Sequence, residues 1–237
     1  MLSEYIEYTE GSTTCEGYVS YDDLDRYKKP CILIAHAWAG QSDFERKKAD
    51  ELAKLGYVGL AIDVYGKGKR GNSMEENAKL MQPFMDDREL LLKRLKAALD
   101  AAEKLPYVDS KKIGIMGYCF GGLCSLDLAR SADPRLKAAV SFHGLFDPPK
   151  LGKQKEISAK VLILHGYDDP MAKPDSMVGV AKEMTDAKAD WQIHAYGGVV
   201  HAFTNPEANM PDNGILYNKA AAHRSWTAAK NFFDETF

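Results

Sequence analysis

Apolar residues along this chain fall into two rhythms. Runs at 31–35, 57–62, 112–116, 137–142 and 161–164 are apolar at most positions. Such continuity marks strands buried on both faces. Between the runs, apolar residues recur at helical spacing over about 42–55, 86–104, 123–130, 174–186 and 216–233. Leu90, Leu91, Leu95, Ala98, Leu99 and Ala102 give the clearest stripe. Ser42 or Asp43 caps the first helix and Gly56 stops it. A polar helical piece is expected near 73–81, ahead of Pro83. Residues 4–8 and 15–21 read as a hairpin turned at Glu10-Gly11-Ser12, and 191–196 as a last strand. Asp22-Asp23-Leu24-Asp25 and Lys28-Lys29-Pro30 read as a polar loop, and 144–160 as a loop holding Pro148 and Pro149. The glycine-rich, basic stretch 65–71 lacks the spacing of a P-loop and reads as a flexible solvated loop.

Strands alternating with helices predict an α/β fold, with a mostly parallel twisted sheet, helices on both faces and right-handed crossovers. With no repeat, low-complexity tract or linker, one domain over 1–237 is the simplest division. A hydrophobic share of 45% and a charged share of 27% suit a globular chain with a sizeable core. A net charge of −3, with no block of like charge, argues against nucleic-acid or anionic-membrane partners. No run approaches transmembrane length, and residues 1–7 lack the basic start and apolar centre of a signal peptide. Cys15, Cys31, Cys119 and Cys124 therefore read as reduced thiols of a cytoplasmic enzyme, and their spacing matches no zinc pattern. Nothing in the pattern specifies an oligomeric state.

The chemistry centres on Gly117-Tyr118-Cys119-Phe120-Gly121-Gly122, between an expected strand and an expected helix. An isolated cysteine can be a buried structural thiol. Small residues two positions either side of it, on a strand-turn-helix corner, instead match the nucleophile elbow of α/β-hydrolases, with Cys in place of Ser. Side chains at 117 and 121 would collide on so tight a turn, and Cys119 opens a helix, whose N-terminus favours a thiolate. The Phe120 N–H is then one oxyanion donor. The Trp38 N–H, with Ala37 as the alternative, supplies the other from the loop after the first buried strand.

A catalytic thiol needs a base, and the base an orienting acid, in the chain order nucleophile, acid, histidine. His165-Gly166-Tyr167-Asp168-Asp169-Pro170 offers the acid. Asp169 is preferred, because the acid of this fold commonly stands three positions after the glycine of a strand-end His-Gly pair. Asp168 then serves the turn. Gly197-Gly198 open the loop that carries His201. His143 is its main rival; His36 and His165 suit loop bracing, His194 lies in a strand and His223 on the last helix. The Trp38 ring, Tyr118, Phe120 and Phe203 are either pocket walls or core. His36-Ala37-Trp38, Cys119, Asp168-Asp169 and His201 all fall at carboxyl ends of expected strands, where open α/β sheets bind ligands.

Together with His201-Ala202-Phe203-Thr204-Asn205-Pro206, the elbow and the acid motif resemble the dienelactone hydrolase family of α/β-hydrolases, over nearly the whole chain. The resemblance implies a Cys119-His201-Asp169 triad acting on a small ester, lactone or thioester, without metal or organic cofactor. Two positions depart from the family pattern. Members that open dienelactone carry a glutamate where this chain has Ala37, and an arginine shortly after the triad histidine, where this chain has Ala202-Phe203-Thr204-Asn205. An anionic dienelactone is thus a doubtful substrate. Arg88 offers positive charge for such a substrate, though an exposed helix arginine is the plainer reading. The alternative from another class is a redox-responsive or binding protein, with Cys119 an oxidisable thiol and Cys124 its partner.

Overall fold

The computed structural model describes residues 1–23 and 27–237, so Leu24 and Asp25 of the expected polar loop lie outside the described residues. The frame is an eight-stranded sheet. Its strands are β1 (Leu2–Glu10), β2 (Thr13–Tyr21), β3 (Lys29–Ala35), β4 (Val58–Ala61), β5 (Val108–Tyr118), β6 (Leu136–Phe142), β7 (Lys160–Gly166) and β8 (Trp191–Tyr196). They lie side by side as β1-β2-β4-β3-β5-β6-β7-β8. The β1–β2 and β2–β4 pairs are antiparallel; every pair from β4 to β8 is parallel. The helices are α1 (Asp43–Lys54), α2 (Met74–Asp86), α3 (Arg88–Lys104), α4 (Phe120–Arg130), α5 (Pro174–Asp186) and α6 (Lys219–Thr236).

The continuous apolar runs follow from two separate cores. Successive strand residues point to opposite faces. Ile32, Ile34, Met116 and Val140 meet Ala49 and Leu52 of α1 and Phe232 and Phe233 of α6. Leu33, Ile113, Ile115 and Ile163 meet Leu91 and Leu95 of α3, Leu123 and Leu126 of α4, and Met184 of α5. Each large side chain buried this way contributes about 1.5–3 kcal/mol. Among the described residues no helix is long and apolar enough to cross a membrane.

Four local expectations change. α2 runs through Pro83 to Asp86, accepting the loss of one backbone hydrogen bond. Asp87 then ends it and caps α3, accepting from the Leu90 N–H at 2.9 Å. The last helix starts at Lys219 rather than near 216, capped by Asn218. Leu216 belongs instead to a small hairpin, β9 (Asn209–Met210) with β10 (Ile215–Leu216), too short to show periodicity. The 65–71 stretch is not wholly solvated: Tyr65 is buried, and the Tyr65 and Gly66 N–H groups both donate to Asp63 Oδ1 at 3.1 Å.

Candidate active site

The corner between β5 and α4 is strained as the glycine pattern requires. Cys119 has φ 56° and ψ −115°, outside the comfortable regions for an L-residue. A Cβ on Gly117 would stand 2.1 Å from the Gly121 carbonyl oxygen, and one on Gly121 would stand 2.1 Å from the Ala35 oxygen. The turn therefore closes on glycine alone at these positions. Cys119 is half-buried, whereas Cys15, Cys31 and Cys124 are buried.

Gly121→Ala tests this closeness. Alanine would favour the helix by about 1 kcal/mol. The clash with backbone at 2.1 Å forces β3 and α4 apart, an overpacking penalty of about 1–3 kcal/mol or more. A net loss of stability is expected in urea titration; an unchanged midpoint would show that the corner has slack.

His201 and Asp169 meet beneath the elbow. His201 Nδ1 lies 2.7 Å from Asp169 Oδ2, with both side chains almost wholly buried. Asp169 Oδ1 accepts the Met171 N–H at 2.8 Å, which fixes the carboxylate. Burial pulls the imidazole's pKa down, but the Asp169 hydrogen bond and the Cys119 sulfur outweigh it and raise the ring to about 10. His201 Nε2 makes no hydrogen bond of its own. Asp168 is exposed, and its Oδ2 accepts the Gly198 N–H at 2.7 Å, so it shapes the turn.

The His201 loop is held by the β9–β10 hairpin. The His201 N–H donates to the Gly214 carbonyl at 2.9 Å, and the His201 carbonyl accepts from the Leu216 N–H at 3.1 Å. Gly214 has φ 66° and presses on Pro170; a Cβ there would stand 2.4 Å from the proline ring. One hairpin thus touches both the histidine loop and the acid loop.

Three successive peptide units at the end of β3 are each held by a side chain. Glu45, buried in α1, accepts the Ala37 N–H at 3.4 Å, while its other oxygen accepts the Ser42 N–H at 2.8 Å. The Ala37 carbonyl accepts His36 Nδ1–H at 2.7 Å and the Gly40 N–H at 3.1 Å. The Trp38 carbonyl accepts the Tyr65 hydroxyl at 2.9 Å. His36 Nε2 accepts the Val64 N–H at 3.2 Å, so the ring proton is on Nδ1; burial lowers its pKa to about 4. The Ala37 amide is taken by Glu45, whereas neither the Trp38 nor the Phe120 amide donates to a turn or cap acceptor among the described residues.

The remaining candidates divide. His143, the rival base, is buried with its ring 5.1 Å from His201, and Nε2 is 2.8 Å from Thr204 Oγ1. Burial, then His201, holds its pKa well below the usual range, and no carboxylate among the described residues is a cause that offsets them. His165 braces its loop through the Ala172 carbonyl at 2.7 Å. Tyr118 is core: it stacks on Phe142 at 4.6 Å and meets Phe44 edge-on. Phe203 is fully buried, edge-on to His143. Trp38 is half-buried against the α3–α4 core. Arg88 corrects both readings made from the sequence: it is neither exposed nor free for a substrate. Its guanidinium grips buried Asp127 of α4 at 2.8 and 2.7 Å and donates to the Asp147 carbonyl at 3.1 Å. A cleft of about 660 Å³ lies elsewhere, between the 146–155 loop and α5. Sequence reasoning missed Glu45, Tyr65 and the hairpin; the Ser42-x-x-Glu45 capping pattern was the one signal available.

Comparison with known proteins places the fold and the family. Residues 16–237 match the model of the dienelactone hydrolase family. A putative carboxymethylenebutenolidase of Aquifex aeolicus is 25% identical over 236 residues, covering 98% of both chains. Two solved structures are 35% identical and cover 100% of this chain and 98% of theirs: m3DLH, with a TM-score of 0.94, and a dienelactone hydrolase-like promiscuous phosphotriesterase from metagenomic libraries, with 0.92. A sheet of this order, a strained cysteine corner and a family match across nearly the whole chain have one reading in common: the chain belongs to the dienelactone hydrolase family and is a hydrolase of the α/β-hydrolase fold.

Proposed function

We propose that this hydrolase uses Cys119 as a nucleophile, His201 as its proton carrier and Asp169 as the orienting acid, and acts on small uncharged esters or lactones. The observation that carries the reading is a half-buried, backbone-strained thiol whose sulfur helps hold charge on a buried imidazole bound to a carboxylate at 2.7 Å. The thiol gives its proton to His201, forming a thiolate–imidazolium pair. The sulfur attacks the substrate carbonyl, and the developing oxyanion is received by the Trp38 and Phe120 amides. His201 then protonates the departing oxygen, leaving a thioester on Cys119. Acylation removes the charge on sulfur, one of the causes that raise His201. The ring's pKa falls, and it takes a proton from the water that cleaves the thioester.

The charge of the substrate follows from what the arginines do. Of the seven arginines among the described residues, Arg46, Arg70, Arg88, Arg94, Arg130 and Arg135 each hold a carboxylate of the chain itself, and Arg224 is exposed on α6. That favours an uncharged substrate over one needing a guanidinium partner. Thioesters fit the same chemistry, and the similarity to a phosphotriesterase adds an aryl phosphotriester to the test panel. The decisive experiment mixes wild-type protein with an ester and lactone panel, quenches in acid and weighs the intact chain. A single acyl adduct mapping to Cys119 is expected. Turnover with the adduct on another residue, or with none under burst conditions, would remove the reading.

A further inference from the structure

An oxyanion hole works only if its donors are held where charge will develop, before it develops. Here the two donors come from separate segments, Trp38 after β3 and Phe120 at the start of α4. The close backbone approach of Gly121 to Ala35 brings the two segments together, but it leaves the direction of the peptide following Trp38 unset. Glu45 and His36 hold the peptide units up to the Trp38 N–H, and the His36 ring lies 6.2 Å from the Phe120 ring, but neither side chain bonds to the Trp38 carbonyl.

Tyr65 touches both segments. Its hydroxyl donates to the Trp38 carbonyl at 2.9 Å. Its ring lies 5.8 Å from the Phe120 ring at 28°, and 4.6 Å from His36, edge-on. It also stacks on Phe84 of α2 at 5.4 Å and is almost wholly buried. The backbone of Tyr65 is anchored to Asp63, whose own carbonyl accepts the Tyr8 hydroxyl at 2.8 Å. Burial, reinforced by the nearby Cys124 and Cys119 sulfurs, raises the phenol's pKa, so it remains a donor.

We propose that Tyr65 is a positioning residue for the oxyanion hole: its hydroxyl sets the direction of the Trp38 segment while its ring registers that segment against Phe120. This rests on the reaction proposed above. Removing the hydroxyl leaves the stack intact but frees the peptide unit following Trp38. The Trp38 N–H is then held only from the Ala37 carbonyl side, and its wider swing misses the oxyanion more often. Losing a donor outright costs about 10²–10³ in rate, so a loosened one should cost about tenfold.

Tyr65→Phe separates this from a structural role. Iodoacetamide alkylates Cys119 by displacing iodide, a step that uses the thiolate but forms no oxyanion. In Tyr65→Phe, kcat on the best ester should fall about tenfold with KM nearly unchanged, while the alkylation rate stays at the wild-type value. Two results would overturn the proposal: kcat within twofold of wild type, or alkylation falling in step with kcat. A wild-type protein that turns over no ester removes the parent reaction, and this role with it. Wild-type turnover with an unaffected Tyr65→Phe removes this role alone.

Discussion

Cys119→Ala is expected to lower ester turnover by about 10⁵–10⁶, on the scale seen when a nucleophile is deleted from a working triad. The variant keeps its fold for two reasons. Cys119 is half-buried and outside both hydrophobic cores, so removing its sulfur opens no core cavity. Alanine also keeps the single Cβ that the φ 56° backbone already tolerates. Turnover and circular dichroism on the same preparation check both halves. A folded variant retaining more than a tenth of wild-type activity would show that the thiol is a bystander. Cys119→Ser should be nearly as inactive. A hydroxyl is far less acidic than a thiol, so it cannot rest as the anion of an ion pair with the imidazole and attacks much more slowly.

Asp169→Asn should reduce kcat/KM by about 10³–10⁴ without removing the nucleophile. The substituted amide would offer either an N–H or a weaker carbonyl to His201 Nδ1. The first forces the ring proton onto Nε2, pointing it at the sulfur, which is the wrong tautomer for accepting a proton there. The second withdraws a negative charge from the pair that now meets at 2.7 Å. The same substitution has a signature in stability. In the folded protein His201 is raised from 6.5 to about 10, because Asp169 and Cys119 together outweigh the lowering by burial. A group raised on folding stabilises fully below its unfolded pKa and loses that contribution as pH climbs through its folded one. Wild-type stability should therefore decline between pH 6.5 and about 10 from this group. In Asp169→Asn burial gains the upper hand, and the decline should flatten. Urea midpoints at about pH 6, 8 and 10 read the difference; parallel curves for the two proteins would show that Asp169 does not hold the charge.

The parts of this site that show in the sequence are those imposed by sterics and chain order. Gly117 and Gly121 are readable because no side chain fits where two backbones touch at van der Waals limits. His201 is readable because it follows the acid-bearing strand end and sits behind two glycines. Asp169 and Asp168 are separable only in space, where one faces the imidazole and the other the Gly198 amide. Arg88 was illegible for the opposite reason. Its partner Asp127 lies 39 residues away on another helix, and no local pattern distinguishes a buried ion pair from a solvated face. Tyr65 sits beside a glycine-rich basic stretch, and that composition masked a residue tied down by Asp63, Trp38 and Phe120. Two-residue strands such as β9 and β10 have too few positions to carry a rhythm.

The β9–β10 hairpin gives the chain a third point of control over its own reactivity. The imidazole and its carboxylate stand 32 residues apart, on loops from different crossings of the sheet. Gly214 bonds to the backbone of one loop and presses on the proline of the other. A change of size or tilt within 209–216 would slide the two partners past each other while leaving both side chains as they are. Remodelling that surface turn is thus expected to shift how the imidazole meets its carboxylate, with both residues left untouched.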